Sequence, residues 1–430
     1  MALPELKPIA QKEGISPEKL ETRVKEGRVV IVKNVRRQIA PLAIGEGTRV
    51  KINSNVGSSQ LIHNFPEELE KARISAKFGT DTVMDLSTGG TEDDLRRLQE
   101  ILLKEIAVPI GTVPIYQAAV RMHDAGRKII DMTEDNLLGI VEEQAKRGID
   151  FFTIHAGVQK YIVEHLVKHP RLMGVVSRGG TFLAAWILHH KQENPFLTNF
   201  DALLDILAKY DVAISLGDGF RPGSIFDATD YCQIQELLEI SRLVERCRER
   251  KVPVIVEGPG HIPAQQIAEN IRIEKDVCKG APFYVLGPIV TDIAPGYDDL
   301  VGAIGGVLAG MAGADYLCYV TPAEHLGLPT LDDVKKGVIA SRIAAHAVDI
   351  SRGFPSALAW DQRMDVARKS LNWEEMFRQA VDPEVARQRH ERQSPKKDEC
   401  TMCGPFCALK LLDEYTQGRF KLHETNDDSK

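Results

Sequence analysis

Between about Lys51 and Thr321 the chain alternates two patterns. Short apolar runs rich in β-branched residues, each closed by a polar or glycine-rich turn, are followed by longer stretches whose apolar positions recur at helical spacing. The runs VKINSN, TVMDLS, PIGTVPIY, FFTIHAG, GVVSRGG, VAISLGDG, VPVIVEGPG, FYVLGP and DYLCYVT read as strands. PEELEKARISAKFG, EDDLRRLQEILLKEI, DNLLGIVEEQAKRG and QIQELLEISRLVERCRERK read as helices. Apolar strands separated by helices predict a parallel sheet covered on both faces, and roughly eight units predict a closed (β/α)8 TIM barrel. Nine runs compete for eight places, so either one of the last three is expected outside the barrel or one of these runs is not a strand. A doubly wound open sheet is the alternative, but no G-x-G-x-x-G follows a first strand.

The flanks differ from this repeat. Residues 1–45 carry a helical SPEKLETRVKEG and a strand RVVIVKN, and read as a small cap before a barrel over 46–350. From 351 to 430 the pattern turns helical and charged, an arm that leads into a cysteine-rich loop and ends in the polar tail KLHETNDDSK, expected to fray. No internal repeat or low-complexity tract stands out.

Composition narrows the function classes. With 43% hydrophobic and 27% charged residues, the 430-residue chain is ordinary globular protein, able to bury a large core. A net charge of -7 argues against general nucleic-acid binding. No apolar run reaches the roughly 18–20 residues of a membrane span, and MALPELKPIAQKEG lacks the apolar core of a secretory signal, so a cytoplasmic protein is expected. Cys232, Cys247, Cys278 and Cys318 are scattered and read as reduced, buried thiols.

In such a barrel the chemistry gathers where strands end. Asn55, Met84 with Asp85, Tyr116, His155, Ser177-Arg178-Gly179, Asp218 with Arg221, and Glu257 all stand at strand ends. Singly each could be a cap or a satisfied core group; seven polar strand ends together point to a binding site. SRGG and DGFRPGS place backbone N–H groups beside arginines, the equipment for a phosphate or carboxylate. The plainer reading is that these glycines make tight turns. His261 in EGPGHIP and His325 in TPAEHLGLP sit just past apolar strands and could share a Zn²⁺, or be hydrogen-bonded structural residues. No G-x-S-x-G, H-E-x-x-H or Walker A segment is present.

Cys400, Cys403 and Cys407 fall within eight residues. Three thiolates on a four-iron cluster leave one iron open for a small molecule; a zinc knuckle completed from elsewhere fits the spacing equally well.

Taken together, NSNVGSS, DTVMDLSTGG, PIGTVPIYQ, FFTIHAGV, GVVSRGG, SLGDGFRPGSI, VEGPGHIP, APFYVLGPIVTDIAPGYD, LCYVTPAEHLGLP and CTMCGPFC resemble the phosphomethylpyrimidine synthase family of thiamine biosynthesis, a nonstandard branch of the radical S-adenosylmethionine enzymes. The resemblance runs from about Lys51 to Cys407. It implies a carbon–carbon lyase that rearranges 5-aminoimidazole ribotide into 4-amino-5-hydroxymethyl-2-methylpyrimidine phosphate with release of formate and CO. It implies a ribotide pocket of Asn55, Met84, Tyr116, His155, Ser177, Arg178, Gly179, Asp218, Gly219, Arg221, Glu257 and Tyr284, with Glu257 or Asp218 managing protons. It also implies a zinc held by His261 and His325, and a [4Fe-4S] cluster on Cys400, Cys403 and Cys407 that binds S-adenosyl-L-methionine. A reductant protein such as a flavodoxin or ferredoxin, and a homodimer in which the cluster segment covers the neighbour's barrel, follow from the same resemblance. The cysteine spacing, C-x2-C-x3-C, is one residue shorter than the family's usual C-x2-C-x4-C, and Phe220 replaces a frequent Leu, a change expected to reshape the pocket. Two further readings stand beside it: 5-hydroxybenzimidazole synthase, a sister activity on the same ribotide for cobalamin, and a zinc-binding barrel that senses a phosphorylated metabolite without turnover.

Overall fold

The computed structural model describes residues 3–393 and 400–416, which divide into two compact units, Met1–Arg352 and Gly353–Lys430. At the start of the first unit, helices α1 (Leu3–Glu13) and α2 (Pro17–Lys25) pack with an antiparallel hairpin, β1 (Val29–Val32) and β2 (Leu42–Gly45), around Leu6, Ile9, Leu20 and Val29. The hydrophobic pattern had pointed only to α2 and β1. Helix α1 is hard to read because its apolar face is only Leu6, Ile9 and Ala10, and Pro8 lies inside it.

Eight parallel strands then close into a barrel: β3 (Lys51–Val56), β4 (Thr82–Asp85), β5 (Ile110–Thr112), β6 (Phe151–Ile154), β7 (Ala213–Leu216), β8 (Val254–Gly258), β9 (Phe283–Leu286) and β10 (Tyr316–Cys318). β10 pairs with β3 to complete the ring. The strands are buried along almost their whole length, which is why they read as continuous apolar runs. Helices α3 (Phe65–Lys77), α4 (Glu92–Glu105), α5 (Pro114–Asp124), α6 (Glu134–Arg147), α7 (Lys160–Lys168), α8 (Arg178–His190), α9 (Pro195–Thr198), α10 (Phe200–Tyr210), α11 (Tyr231–Glu249), α12 (Ala264–Val277), α13 (Asp298–Ala312) and α14 (Leu331–Ser351) run between and after them. Local chemistry sets their ends. Thr91 accepts the Asp94 N–H while Asp94 accepts the Thr91 N–H, so α4 starts with both amides satisfied and turns Leu95, Leu98 and Leu102 inward.

The ninth run is corrected by the structure. All of the last three close the barrel, and it is GVVSRGG that lies outside: Ser177 caps α8, and Arg178 and Gly179 are its first residues. Valines beside a turn mimic a strand, but the Ser177 side chain accepts the Gly180 N–H and so starts a helix.

At the lower rim, three aspartates immediately before strands hold an opening amide of the strand next to them. Asp81 accepts the N–H of Ile52 (3.0 Å), Asp150 that of Ile110 (2.8 Å) and Asp315 that of Phe283 (3.1 Å). They fix the strand starts, so the strand ends inherit a set position.

The second unit contains α15 (Pro355–Lys369), α16 (Trp373–Gln379) and α17 (Pro383–Gln393), then a short turn Gly404–Phe406 and α18 (Ala408–Thr416). The Trp360 indole donates to the Gln379 carbonyl at 2.8 Å, and Phe377 is buried. The tail KLHETNDDSK lies outside the described residues. No helix among the described residues is long and apolar enough to cross a membrane.

Candidate active site

A cavity of about 520 Å³, including its open mouth, occupies the carboxyl end of the barrel. Of the residues expected there, Asn55, Met84, Tyr116, His155, Asp218, Arg221, Glu257 and Tyr284 line it. They come from seven strands or their following turns, which is how a barrel converges side chains distant in sequence.

His155 is buried, and Ser177 Oγ lies 3.1 Å from its Nε2. Since Ser177 Oγ already accepts the Gly180 N–H, its own hydrogen is available to Nε2. That hydrogen-bond pattern assigns the remaining proton to Nδ1, which meets no partner. Burial, with Arg221 nearby, lowers the His155 pKa to about 3, so the ring is neutral. A Cβ on Gly179 would stand 2.4 Å from the ring, so this position must be glycine for the imidazole to fit.

Asp218 Oδ1 accepts from Arg221 Nη1 at 3.2 Å, and its Oδ2 has no partner. Burial, outweighing Arg221, raises Asp218 to about 8. Glu257 is also raised by burial, against hydrogen bonds from Thr153 and Ser215. Tyr116, in the first turn of α5, is raised by burial and lies under the Arg178 guanidinium, 5.1 Å from the ring centroid. Asn55 donates to Cys318 Sγ at 3.2 Å, and Asn53 donates to both Asn55 Oδ1 and the Tyr284 hydroxyl at 2.8 Å.

Gly219 and Phe220 stand apart from the cavity lining. Their N–H groups donate to Glu236 on α11 at 2.8 and 2.7 Å, so this turn presents side chains to the cavity while its amides are occupied. Phe220 is fully buried in the barrel core, so the departure at this position changes packing behind the pocket rather than its wall. Arg178 is exposed, with Nη1 3.3 Å from Thr88 Oγ1.

The sequence reading missed Thr153, Ser215, Glu236 and Cys318. Cys318 was read as a packing thiol, yet it lines the cavity. Period-two alternation could have found Thr153, which shares a face with His155 two residues on.

His261 and His325 face each other, Nε2 to Nε2, at 3.1 Å. Their Nδ1 atoms lie 2.7 Å from Asp292 and 3.4 Å from Asp298, the carboxylate backing usual for ligating imidazoles. With both Nδ1–H groups so directed, two Nε2 lone pairs meet, a contact that calls for a shared proton or cation. Tetrahedral ligation at roughly 2.0–2.1 Å would put such nitrogens about 3.3 Å apart. His325 also holds a left-handed backbone, φ 64°, which costs a non-glycine residue on the order of 1 kcal/mol and is concentrated at functional sites. Among the described residues no group of three or more His, Cys, Asp or Glu converges as a metal site.

The three cysteines of the second unit are free: Cys407 buried, Cys400 half-buried, Cys403 exposed. Backbone N–H groups of Met402 and Cys403 hold Cys400 below the usual thiol range, which favours the ligating thiolate. Gly404, at φ 50°, turns the chain between Cys403 and Cys407, and among the described residues the three cysteines form no convergent ligand group.

A closed parallel barrel whose strand ends gather a neutral imidazole, an arginine and two buried carboxyls defines a β/α-barrel enzyme. Residues 1–414 match the Radical SAM ThiC family, and the chain belongs to it. It is 53% identical over 414 residues to a phosphomethylpyrimidine synthase of Desulforudis audaxviator, covering 96% of this chain and 95% of that one. Proteins of the same name from Methanocaldococcus jannaschii (52% identity, 95% and 96% covered) and Pyrococcus furiosus (53%, 95% of each) are similarly close. Membership in a radical S-adenosylmethionine family implies that cofactor and an iron–sulfur cluster.

Proposed function

We propose that the protein is a phosphomethylpyrimidine synthase, a carbon–carbon lyase converting 5-aminoimidazole ribotide to 4-amino-5-hydroxymethyl-2-methylpyrimidine phosphate with release of formate and CO. One observation carries this reading beyond family membership: His155 Nδ1 and Asp218 Oδ2 are buried, lack partners, and border one cavity with Arg221 and Glu257. A pocket built to leave polar atoms unpaired awaits a polar ligand.

In this reading Asn55, Met84, Tyr116, His155, Asp218, Arg221, Glu257 and Tyr284 hold the ribotide, and neutral His155 donates from Nδ1. Ser177, Arg178 and Gly179, at the N-terminus of α8, favour its phosphate. Gly219 shapes the turn carrying Asp218 and Arg221. Cys400, Cys403 and Cys407 would hold a [4Fe-4S] cluster, and His261 and His325 would hold a Zn²⁺. With S-adenosyl-L-methionine and an electron from a flavodoxin or ferredoxin, that cluster would supply radical chemistry at the ribose. The barrel's residues orient the ribose and exclude water while bonds rearrange. A homodimer is proposed as the working assembly, and sedimentation at a single-chain mass would remove it.

The test is product analysis after anaerobic incubation with the ribotide, S-adenosyl-L-methionine and a reductant. The pyrimidine phosphate, formate, CO and 5′-deoxyadenosine are expected. Hydroxybenzimidazole as product would replace this activity with its sister, and absence of 5′-deoxyadenosine would end the radical reading. Metal analysis of the same preparation should find zinc that His261→Ala removes.

A further inference from the structure

Two carboxyls face the cavity, and family membership does not say which takes a proton and which gives one. We propose that Thr153 and Ser215 divide that work: their hydroxyls fix Glu257 as the ionised proton acceptor and leave Asp218 as the group that carries the proton. The inference rests on reading the cavity as the ribotide site.

The geometry begins in the sheet. Thr153 on β6 pairs directly with Ser215 on β7, and Ser215 pairs with Ile255 on β8, two residues below Glu257. Both hydroxyls therefore lie one layer beneath the Glu257 carboxyl, and both donate to the same oxygen, Oε1, each at 2.7 Å. The other neighbour of Thr153 Oγ1 is Met84 Sδ at 3.9 Å, a weak competitor. Two O–H donors on one oxygen stabilise a carboxylate and oppose a proton there. Neither hydroxyl touches Oε2.

Asp218 has no such pair. It has Arg221 Nη1 on Oδ1 and nothing on Oδ2. The groups facing these two carboxyls are Arg221, the phenols of Tyr116 on α5, Tyr284 on β9 and Tyr316 on β10, and Glu236 on α11, itself near Arg171. Asp218 and Glu257 both face Arg221, and two buried carboxyls beside one guanidinium cannot both ionise cheaply, so the proton remains on the one with fewer donors. Glu236 accepts two backbone N–H groups and Glu257 two hydroxyls, while Asp218 shares one guanidinium. Burial raises Asp218 and Glu236 alike, each to about 8, so the donor count separates Glu257 from Asp218 and not from Glu236. Thr153 and Ser215 are thus positioning residues, acting through Glu257.

The test reads protonated carboxyls by infrared difference spectroscopy on the full chain with its cluster reconstituted, without ribotide, so it stands whatever the reaction proves to be. Of the protonated-carboxyl signals titrating near pH 8, to which Glu236 and Glu274 also contribute, one component should vanish in Asp218→Asn and none in Glu257→Gln. Thr153→Val with Ser215→Ala should add a further band at neutral pH, lost again when Glu257→Gln is combined. If the double variant does not fold, the two single variants should each raise the Glu257 titration by roughly one pH unit. In turnover, the acid limb of the kcat/KM profile should move up in pH in the same variants, which a merely structural role would leave in place. A band that vanishes in Glu257→Gln rather than Asp218→Asn, or hydroxyl-free variants with unchanged carboxyl bands, overturns the assignment.

Discussion

At the lower rim of the barrel, Lys51 Nζ lies 2.9 Å from Glu13 Oε2 and Lys275 Nζ 2.6 Å from Asp315. At the upper rim, Asp218 Oδ2 and His155 Nδ1 find no hydrogen-bond partner among the described residues. Buried acids are paired with lysines at one end, while polar atoms are left open at the other. Pairing offsets most of the cost of burying a charge, whereas an unpaired buried polar atom keeps that cost until a ligand arrives. The lower rim is thus built for stability and the upper for binding.

The sharpest way to break this contrast is to cut one carboxylate at each end. Glu257→Gln at the top should lower turnover by about 10²–10⁴-fold, the range for loss of a proton-transfer group, with melting temperature changed by only about 2 °C. Equal losses of stability and turnover would show that the upper rim also holds the fold together. Glu13→Ala at the bottom should do the reverse. Burial alone would raise the Glu13 pKa, but Lys51 and Arg49 hold it below the usual range, so it is an ionised partner to a lysine with no exposure. Its loss strands that lysine, and chemical denaturation should register about 3–5 kcal/mol of destabilisation. Turnover per folded molecule should stay near wild type. Glu13 contributes this only while ionised, so the gap between variant and wild type should narrow as pH falls through the carboxylate range.

The two rims also differ in how far the sequence exposes them. The upper rim was readable because strands end in polar residues after apolar runs, and eight of the twelve expected pocket residues line the cavity. What escaped lies one layer down or on helices. Thr153 and Ser215 sit inside apolar runs and look like strand formers, and Glu236 is one acid among many in α11 until its contact with Gly219 is seen. Asp292 and Asp298 reach His261 and His325 from 31 and 27 residues away, a proximity no local pattern encodes. The lower rim did carry a signal that went unread. Gly79-Thr-Asp81, Gly148-Ile-Asp150 and Gly313-Ala-Asp315 repeat one phrase, a left-handed glycine ending a helix and an aspartate that anchors the adjacent strand. GVVSRGG misled because apolar β-branched residues before a capping serine satisfy the strand pattern until the cap is considered.

Glu274 on α12 tests how complete the pairing below is. Both its oxygens are buried without hydrogen-bond partners, and Lys275 Nζ, 3.8 Å away, is spent on Asp315. Burial pushes Glu274 up to about 8, as it does Asp218 and Glu236. A carboxyl whose folded pKa exceeds its unfolded value of about 4.3 binds more protons folded than unfolded. Its contribution is therefore fully present below pH 4 or so, and is lost as pH rises towards the folded value. Stability should fall between roughly pH 5 and pH 8 and level off above. Glu274→Gln removes one of the carboxyls that burial raises, so the slope of melting temperature against pH over that window should flatten. A constant offset with the slope intact would mean that Glu274 stays ionised beside Lys275, and that the lower rim has no unpaired acid after all.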